Sequence, residues 1–344
     1  MAWISPVIGG TIIKPHNDLS SQSNSKLKSP LIASVEINQN CMLSCSYCYL
    51  NRREKSNHVL TEGALKYTID EMTRVGVSII TLAGKEIFFD DKGINILKFL
   101  DSLKIKKGNL RYGFITNGYL LPKYLPKLKK IDFDWMDISI DSFTNGSKSY
   151  KNVARVIWEL ANDEVLSNKL TISSILSEDN SLDLLDLSLH LDKIGIKHQT
   201  ITPNFDQNQD SLVPLQKYVG VFENYVNNGN FKNLKVYFVV SGDKDKEWFK
   251  THYNLKKKFI DSLDQDTYYL DSSEHIFVLF HNPLRYFRLT ADGYILQGRD
   301  IFQPNYRDFA VGNVELDPLG DILVKLLRKS EVFDYYIPQL KLAI

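Results

Sequence analysis

Residues 31–202 alternate between short strand-like runs and longer helix-like segments six times. This alternation is typical of parallel βα units joined by right-handed crossovers. Six such units predict an α/β fold, namely a partial (β/α)6 barrel of the TIM type that is open on one side. Ligands bind barrels of this kind at the carboxyl ends of the strands, so the loops after the predicted strands are the first place to look for function.

The predicted strands are apolar or β-branched runs, and the predicted helices carry apolar residues three or four positions apart. Strands are expected at Ile32–Ile37, Val77–Leu82, Leu110–Thr116, Phe133–Asp141, Leu170–Leu176, Ile196–Thr202 and Leu234–Val240. Helices are expected after the capping residue Thr61 and around Ile96–Leu103, Tyr124–Lys130, Val153–Leu160 and Leu215–Tyr225. Leu182–Ile194 alternates almost as well as a strand would, but its length and its place between two strands favour a helix.

The chain is predicted to have three parts. Residues 1–30 contain three prolines and a Ser/Asn/Lys-rich middle, which indicates an N-terminal extension with little regular structure. Residues 31–240 form the partial barrel. Residues 241–344 form a small α+β domain, in which Asp292-Gly293 marks a hairpin and Asp317–Lys329 has helical spacing.

Charge and hydropathy exclude several classes of function. The 344 residues include 42 basic and 41 acidic side chains, and a net charge of +1 leaves no electrostatic footprint for nucleic acid or an acidic membrane. The N-terminus lacks the pattern of a signal peptide, and no run approaches the roughly 18 apolar residues of a membrane span. Clustered thiols without pairing partners favour a reducing compartment, so the expected location is cytoplasmic.

All three cysteines of the chain, Cys41, Cys45 and Cys48, lie within eight consecutive residues. Such closely spaced thiols can converge on one object, and thiolates suit iron–sulfur clusters, zinc or copper(I). Three thiolates are one fewer than the four that usually complete a cubane cluster or a structural zinc site. An iron without a protein ligand would be open to a substrate or cofactor.

Two other readings of the cysteines remain open at this point. Zinc could be bound by three cysteines and one histidine, with His58 as the nearest candidate. Alternatively, the cysteines could simply pack in the interior as small apolar side chains. Packing alone explains neither the spacing nor the absence of cysteine elsewhere.

The spacing Cys-x-x-x-Cys-x-x-Cys, with Tyr47 just before the last cysteine, resembles the radical S-adenosylmethionine (radical SAM) family. The resemblance implies a [4Fe–4S] cluster held by these three cysteines and S-adenosylmethionine (SAM) chelated to the fourth iron. It also implies that an electron from a flavodoxin- or ferredoxin-type donor leads to a 5′-deoxyadenosyl radical. In such enzymes the cofactor carries the hard chemistry, and the protein binds and orients it.

Three loops downstream resemble further family motifs. Gly84-Lys85-Glu86-Ile87 matches only the glycine and the glutamate of the Gly-Gly-Glu-Pro motif that recognises the amino group of SAM. Thr116-Asn117-Gly118 and Ser139-Ile140-Asp141 resemble motifs after the third and fourth strands. Lys148 and Arg155 are candidates for an arginine-like ligand of the SAM carboxylate, although neither has a convincing spacing. The resemblance thus implies cofactor binding by Tyr47, Gly84, Lys85, Glu86, Asn117, Ser139 and Asp141.

The C-terminal part resembles the SPASM extension of peptide-modifying radical SAM enzymes, which normally binds auxiliary clusters through additional cysteines. This chain has no cysteines left for an auxiliary cluster or for donating a hydrogen atom. We therefore expect chemistry completed by the substrate radical, such as elimination, rearrangement, ring formation or addition. The expected substrate is a peptide or a small metabolite of a specialised biosynthetic pathway. The alternatives are a zinc-stabilised Cys3His binding protein without redox chemistry and a family member that binds cofactor without turnover.

Overall fold

The computed structural model describes most of the chain from Leu31 onwards. The described residues are 7–8, 11–12, 31–53, 56–74, 76–144, 146, 148–177, 179–204, 213–240, 243–258, 265–270, 273–281, 286–297 and 304–329. Within the predicted N-terminal extension, β1 (Val7–Ile8) and β2 (Thr11–Ile12) pair in antiparallel fashion. The rest of that extension lies outside the described residues.

Strands and helices alternate along the chain as the sequence predicts. The further strands are β3 (Leu31–Glu36), β4 (Val77–Ala83), β5 (Arg111–Thr116), β6 (Trp135–Ser139), β7 (Leu170–Leu176), β8 (His198–Pro203), β9 (Lys235–Val240), β10 (Leu255–Lys258), β11 (Gln265–Leu270), β12 (Ile276–His281), β13 (Tyr286–Leu289), β14 (Tyr294–Gln297) and β15 (Gly312–Asn313). The helices are α1 (Glu62–Arg74), α2 (Lys92–Lys107), α3 (Leu121–Leu128), α4 (Tyr150–Ala161), α5 (Asp183–Lys193), α6 (Leu215–Asn228), α7 (Asp243–His252) and α8 (Leu319–Lys329).

Several predicted boundaries differ from the observed ones. The segment Leu182–Ile194 is helical, as its length indicated. The helix predicted around Tyr124–Lys130 begins earlier, at Leu121, because Pro122 is tolerated in the first turn, where no backbone donor is needed. The fourth barrel strand is shorter than predicted. Its last two predicted residues, Ile140 and Asp141, already belong to the loop that carries the site.

One sheet joins thirteen strands in the order β10-β11-β12-β9-β8-β7-β6-β5-β4-β3-β13-β14-β15. All pairings from β12 through to β13 are parallel, and antiparallel strands flank them on both sides. This architecture confirms the predicted α/β fold with a parallel sheet. Strands from beyond residue 240 extend the same sheet at both edges, and a domain boundary near residue 240 remains a prediction.

The two faces of the sheet differ in polarity. Successive residues of a strand point to opposite sides. On β6, Met136 and Ile138 belong to the apolar core, whereas Asp137 and Ser139 lie on the other face. We call this other face the inner face. The helices complete the core from outside, as Leu65 of α1 illustrates, and no helix among the described residues is long and apolar enough to cross a bilayer.

Gly113 of β5 allows a large side chain to fill the inner face. Its cross-strand partner is Trp135, which is fully buried. A Cβ atom at residue 113 would lie 2.3 Å from the indole Cδ2 and 2.4 Å from the Trp135 carbonyl oxygen. The tryptophan therefore occupies the space that a side chain at residue 113 would need.

Gly113→Ala should lower the free energy of unfolding by about 1–3 kcal/mol, because the indole and the backbone must move apart. The matched control is Gly220→Ala on the exposed side of α6, where a Cβ would meet nothing within 4 Å. That substitution should raise stability by about 0.5–1 kcal/mol through helix propensity. Urea unfolding of both variants is the measurement, and equal effects at the two glycines would contradict the packing argument.

A buried ion pair links the cysteine segment to the first barrel strand. The Glu36 side chain is 1% exposed, and its Oε1 accepts hydrogen bonds from Arg53 Nη2 at 2.5 Å and from the Tyr49 hydroxyl at 3.1 Å. Arg288 Nη1 on β13 donates to the same hydroxyl at 2.9 Å. Tyr49 directly follows the last cysteine, so this network fixes the end of the cysteine segment between β3 and β13.

The C-terminal hairpin supports the same region. The Arg53 guanidinium lies 4.6 Å from the ring centroid of Tyr306. The Tyr306 hydroxyl donates to Asp292 Oδ2 at 2.6 Å, and the Leu60 N–H donates to the Ala291 carbonyl at 2.8 Å. The hairpin predicted at Asp292-Gly293 is present, with Gly293 at φ +91° in the turn.

Arg53→Met should lower the free energy of unfolding by about 3–5 kcal/mol, since it leaves the Glu36 carboxylate buried without its cationic partner. Lys66→Met is the control, because it removes a partly exposed pair with Glu62 whose contribution is about 0–1 kcal/mol. Denaturant unfolding compares the two. A loss below about 1 kcal/mol in Arg53→Met would show that the buried pair contributes little.

Candidate active site

The three thiols lie along one small cavity at the carboxyl ends of the parallel strands. Cys45 is buried, Cys41 and Cys48 are half-buried, and all three line a cavity of about 50 Å³. The Cys48 N–H donates to the Cys45 carbonyl at 3.2 Å, which curls the segment so that its thiols share this space. The structure thus brings together the residues that the spacing singled out.

The Cys41 sulfur has two donors from the protein. The Leu43 N–H lies 3.3 Å from Sγ, and Asn117 Nδ2 lies 3.5 Å from it. Burial raises the pKa of the Cys41 thiol, and the Leu43 N–H partly offsets that rise. Such donors stabilise the thiolate form, which is the form that ligates metals.

The arrangement of the thiols bears on which kind of metal they could hold. No group of three or more His, Cys, Asp or Glu among the described residues is arranged to bind a single ion. His58, the proposed fourth zinc ligand, is exposed, and its Nε2 lies 2.5 Å from Glu315 Oε2. A tetrahedral zinc site would draw all its ligands into one shell, whereas a cubane cluster spreads cysteine ligands over different irons. Because His58 is not placed beside the thiols, the three cysteines match the ligand set of a cubane cluster with one open iron better than a Cys3His zinc site.

The loop after β4 borders the cavity through Gly84 and Lys85. Gly84 has φ +124°, and a Cβ there would lie 2.9 Å from the Asn38 carbonyl oxygen, so the position requires glycine. Lys85 Nζ donates to Asn51 Oδ1 at 2.7 Å, which connects this loop to the segment after the cysteines. Both residues fall where the sequence motif placed them.

The side chain of Glu86 does not line the cavity. It is fully buried, and its Oε1 accepts hydrogen bonds from the Thr116 hydroxyl at 2.8 Å and the Phe88 N–H at 3.1 Å. Its Oε2 accepts from the Asn117 N–H at 2.9 Å. Burial raises the pKa of Glu86, while these donors oppose the rise. The carboxylate is thus bound within the protein and ties two site loops together, and direct recognition of an ammonium by Glu86 remains a prediction.

Asp141 anchors the loop after β6. Its Oδ1 accepts the Ile175 N–H at 2.7 Å, and its Oδ2 accepts the Tyr47 hydroxyl and lies 3.8 Å from Lys148 Nζ. Burial, followed by the charge of Asp141, raises the pKa of Tyr47, so the phenol stays protonated. The carboxylate therefore connects the cysteine segment to the Lys148 loop.

Lys148 is the basic residue that sequence reasoning considered but did not select. Its ammonium lies 5.4 Å from the Tyr47 ring centroid, and its side chain is 15% exposed. Burial would lower the pKa of Lys148, but Asp141 and the three cysteines together raise it, so the lysine is charged. Arg155, the other candidate, is exposed on α4. The closeness of Lys148 to Tyr47 and Asp141 follows from the folded shape of the loop between Asp141 and Lys148. It could not be predicted from their separation in the sequence, which matches no helix or strand period.

A larger cavity of about 610 Å³ adjoins the thiols. It shares Cys45, Tyr47 and Lys148 with the smaller one. Its other lining residues are mainly acidic, amide and hydroxyl side chains, namely Ser44, Ser46, Asp141, Ser142, Gly146, Ser177, Asp179, Asn180, Asp183, Asn204 and Val213. Lys148 is the one basic side chain in this lining of described residues, so the cavity is acidic.

The predicted cofactor residues thus fall into three groups. Tyr47, Gly84, Lys85, Asn117 and Ser139 line the thiol cavity. Asp141 lines the larger cavity, together with Tyr47. Glu86 is buried in the protein interior and lines neither cavity.

Comparison with known proteins gives a family assignment. Residues 35–168 match the family model described as the Radical SAM superfamily. The GTP 3′,8-cyclase of Lactiplantibacillus plantarum is 23% identical over 286 residues, which cover 76% of each chain. A probable GTP 3′,8-cyclase of Methanococcus maripaludis is 28% identical over 109 residues, and this match spans only 35% of that protein.

Solved structures share the fold. SuiB of Streptococcus suis, bound to the precursor peptide SuiA, matches with a TM-score of 0.62 at 14% identity over 87% of this chain. The chain spans 65% of the length of SuiB. The enzyme anSMEcpe with bound AdoMet matches with a TM-score of 0.57 at 13% identity, over 91% of this chain and 83% of that one.

The family match includes all three cysteines and the strands that carry the candidate site, and the structural matches have the same partial barrel. Residues 35–168 thus match a domain of the radical SAM superfamily, whose enzymes use a [4Fe–4S] cluster and S-adenosylmethionine as cofactors.

Proposed function

We propose that Cys41, Cys45 and Cys48 hold one [4Fe–4S] cluster whose remaining iron binds SAM. The observation that carries this proposal is that all three thiols line a single cavity beside a charged lysine. When bound, these cofactors would supply one-electron cleavage of SAM to methionine and a 5′-deoxyadenosyl radical, which takes a hydrogen atom from a substrate C–H bond. The electron would come from a flavodoxin- or ferredoxin-type protein.

The residues around the thiols have distinct roles in this proposal. Lys148 neutralises the carboxylate of SAM, and Asp141 and Tyr47 hold the lysine in place. Gly84 lets the backbone approach the cofactor closely, since a side chain there has no room. Asn117 orients Cys41 through its amide and completes the wall of the cavity.

The substrate of the proposed reaction is a peptide or a small metabolite, and it would occupy the larger cavity. A volume of about 610 Å³ lies within the usual range for small-molecule sites. Two of the similar solved structures contain a bound peptide. They are SuiB with the precursor peptide SuiA and anSMEcpe with the Cp18Cys peptide. This chain is similar to them only in fold. A peptide substrate is therefore a proposal for this chain.

Cyclisation of GTP is a second candidate, because the sequence is similar to the GTP 3′,8-cyclase of Lactiplantibacillus plantarum and a probable one of Methanococcus maripaludis. A triphosphate normally requires several basic side chains or a metal. The lining of the larger cavity offers Lys148 as its one basic side chain, and none of its described acidic residues belongs to a group of three that could hold a metal ion, which opposes a triphosphate in this space. We therefore favour the peptide or metabolite substrate.

Cys45→Ala should abolish both the brown colour of the anaerobically reconstituted protein and the formation of 5′-deoxyadenosine, because two thiolates do not retain the cluster. Iron and sulfide analysis, visible absorption and chromatography of the nucleoside are the measurements. His58→Ala is the control and should retain colour and cleavage. Loss of the bound metal in His58→Ala, with zinc present in the wild type, would favour the zinc-binding protein instead.

Lys148→Met should weaken SAM binding roughly tenfold or more while leaving the iron content unchanged, since it removes a charged donor to a carboxylate. Equilibrium dialysis with labelled SAM gives the dissociation constant. Lys151→Met provides the control, because Lys151 is exposed at the start of α4. Equal SAM affinity in the wild type and Lys148→Met would exclude the proposed role of the lysine.

A further inference from the structure

Asp137 is a buried carboxylate that the proposed cofactor chemistry does not use. It lies in the middle of β6 on the inner face of the sheet and is 1% exposed. Neither carboxylate oxygen has a hydrogen bond of good geometry among the described residues, although the Ser173 hydroxyl on β7 is near enough to lower the pKa of Asp137. An unpaired buried charge is costly, so such a group in a native fold calls for an explanation.

The position of Asp137 places it directly beneath the thiol cavity. Ser139 lies two residues further along the same strand, on the same face, and lines that cavity. Lys148, which also lines the cavity, is near enough for its charge to lower the pKa of Asp137. A ligand that passes the cavity wall at Ser139 would meet the Asp137 carboxylate next.

The pairing register places other inward-facing polar groups on β6 and on the strands to one side of it. Gly113 of β5 pairs with Thr81 and with Trp135, and Thr81 in turn pairs with Ser34 of β3. The Ser34 hydroxyl, the Thr81 hydroxyl and the Trp135 indole N–H are all buried without a hydrogen-bond partner among the described residues. Several such groups on one face indicate a surface built to bind a polar molecule rather than a single packing defect.

Among the described residues, no cation forms an ion pair with Asp137, although the more distant Lys148 lowers its pKa. Lys148 forms its ion pair with Asp141 and faces the thiols. His198 also lies on the inner face, but burial lowers its pKa to about 4, so its imidazole is neutral. Burial raises the pKa of Asp137 itself to about 7, and Ser173 and Lys148 offset only part of that rise.

We propose that Asp137 is a substrate-binding residue that pairs with a cationic nitrogen group, an ammonium or guanidinium, of the molecule on which the enzyme acts. This inference rests on the proposed function, because it places the substrate between the larger cavity and the inner face. The acidic lining of the larger cavity agrees with it, since Asp179 and Asp183, which are not paired with Lys148, attract a cation towards the barrel. The ligand class is thus a cationic peptide or amine.

The test uses two probes that differ only in charge. Nα-acetylargininamide carries a guanidinium group, and Nα-acetylcitrullinamide is its uncharged urea isostere; acetylation removes the α-ammonium group of both, and they are called argininamide and citrullinamide below. Their dissociation constants are measured by calorimetry on the full-length wild-type protein, purified anaerobically and supplied with SAM. Argininamide should bind at least about tenfold more tightly than citrullinamide, as expected for a charge-assisted pair in a buried site.

Asp137→Asn should remove this difference, so that both probes bind with similar, weak affinity. The replacement is isosteric and removes an unpaired charge, so the midpoint of unfolding should be no lower than that of the wild type. Asp321→Asn, an exposed change on α8, is the control and should preserve the preference for argininamide.

Equal binding of the two probes to the wild type would overturn the proposal without any variant, and so would a full preference retained in Asp137→Asn. In the first case, bound water rather than a substrate cation satisfies the carboxylate. Formation of 5′-deoxyadenosine by the wild type is measured separately. A protein that discriminates the probes but cleaves no SAM would refute the proposed function and leave the cation site standing.

Discussion

The candidate site depends on one buried residue, Glu86, which holds its loops together. Its carboxylate accepts hydrogen bonds from Thr116 and Asn117 after β5, and its main chain bonds to Asn38 and Asn40 before the first cysteine. Because these groups are shielded from water, a carboxylate at this point is stable only while all its donors remain. The position of the cysteine segment over the barrel is therefore set by the interior of the protein.

Much of the fold could be predicted from the sequence, and the reasons are physical. Parallel barrel strands are buried on both faces or nearly so, and they appear as short apolar runs between helices of regular periodicity. The Asp292-Gly293 turn and the helix around Leu323 have equally local signals. The attachment of β12 and β13 to opposite edges of one sheet has no local signal, because it depends on pairing across the whole chain.

The residues of the candidate site could be predicted where the spacing of ligand residues along the chain identifies a known type of site. The three cysteines, Gly84 and the loops after the strands came from motifs, and the structure places most of them around one cavity. Burial depends on the three-dimensional fold, so neither the enclosure of Glu86 nor the burial of Asp137 could be predicted from the sequence. Lys148 could be named from the sequence only as one of two candidates, because no motif predicts the shape of its loop.

The barrel also has an asymmetric order of assembly. On one side, β3 pairs with β4, which follows it closely, but on the other side it pairs with β13 at Tyr286–Leu289. During synthesis on a ribosome, the second edge of β3 stays unpaired until some 250 further residues have emerged. An exposed parallel edge is a template for mispairing between nascent chains. The unpaired edge of β3 must therefore be protected from mispairing until β13 has been synthesised. Chaperones and slow expression should both increase the yield of correctly folded enzyme.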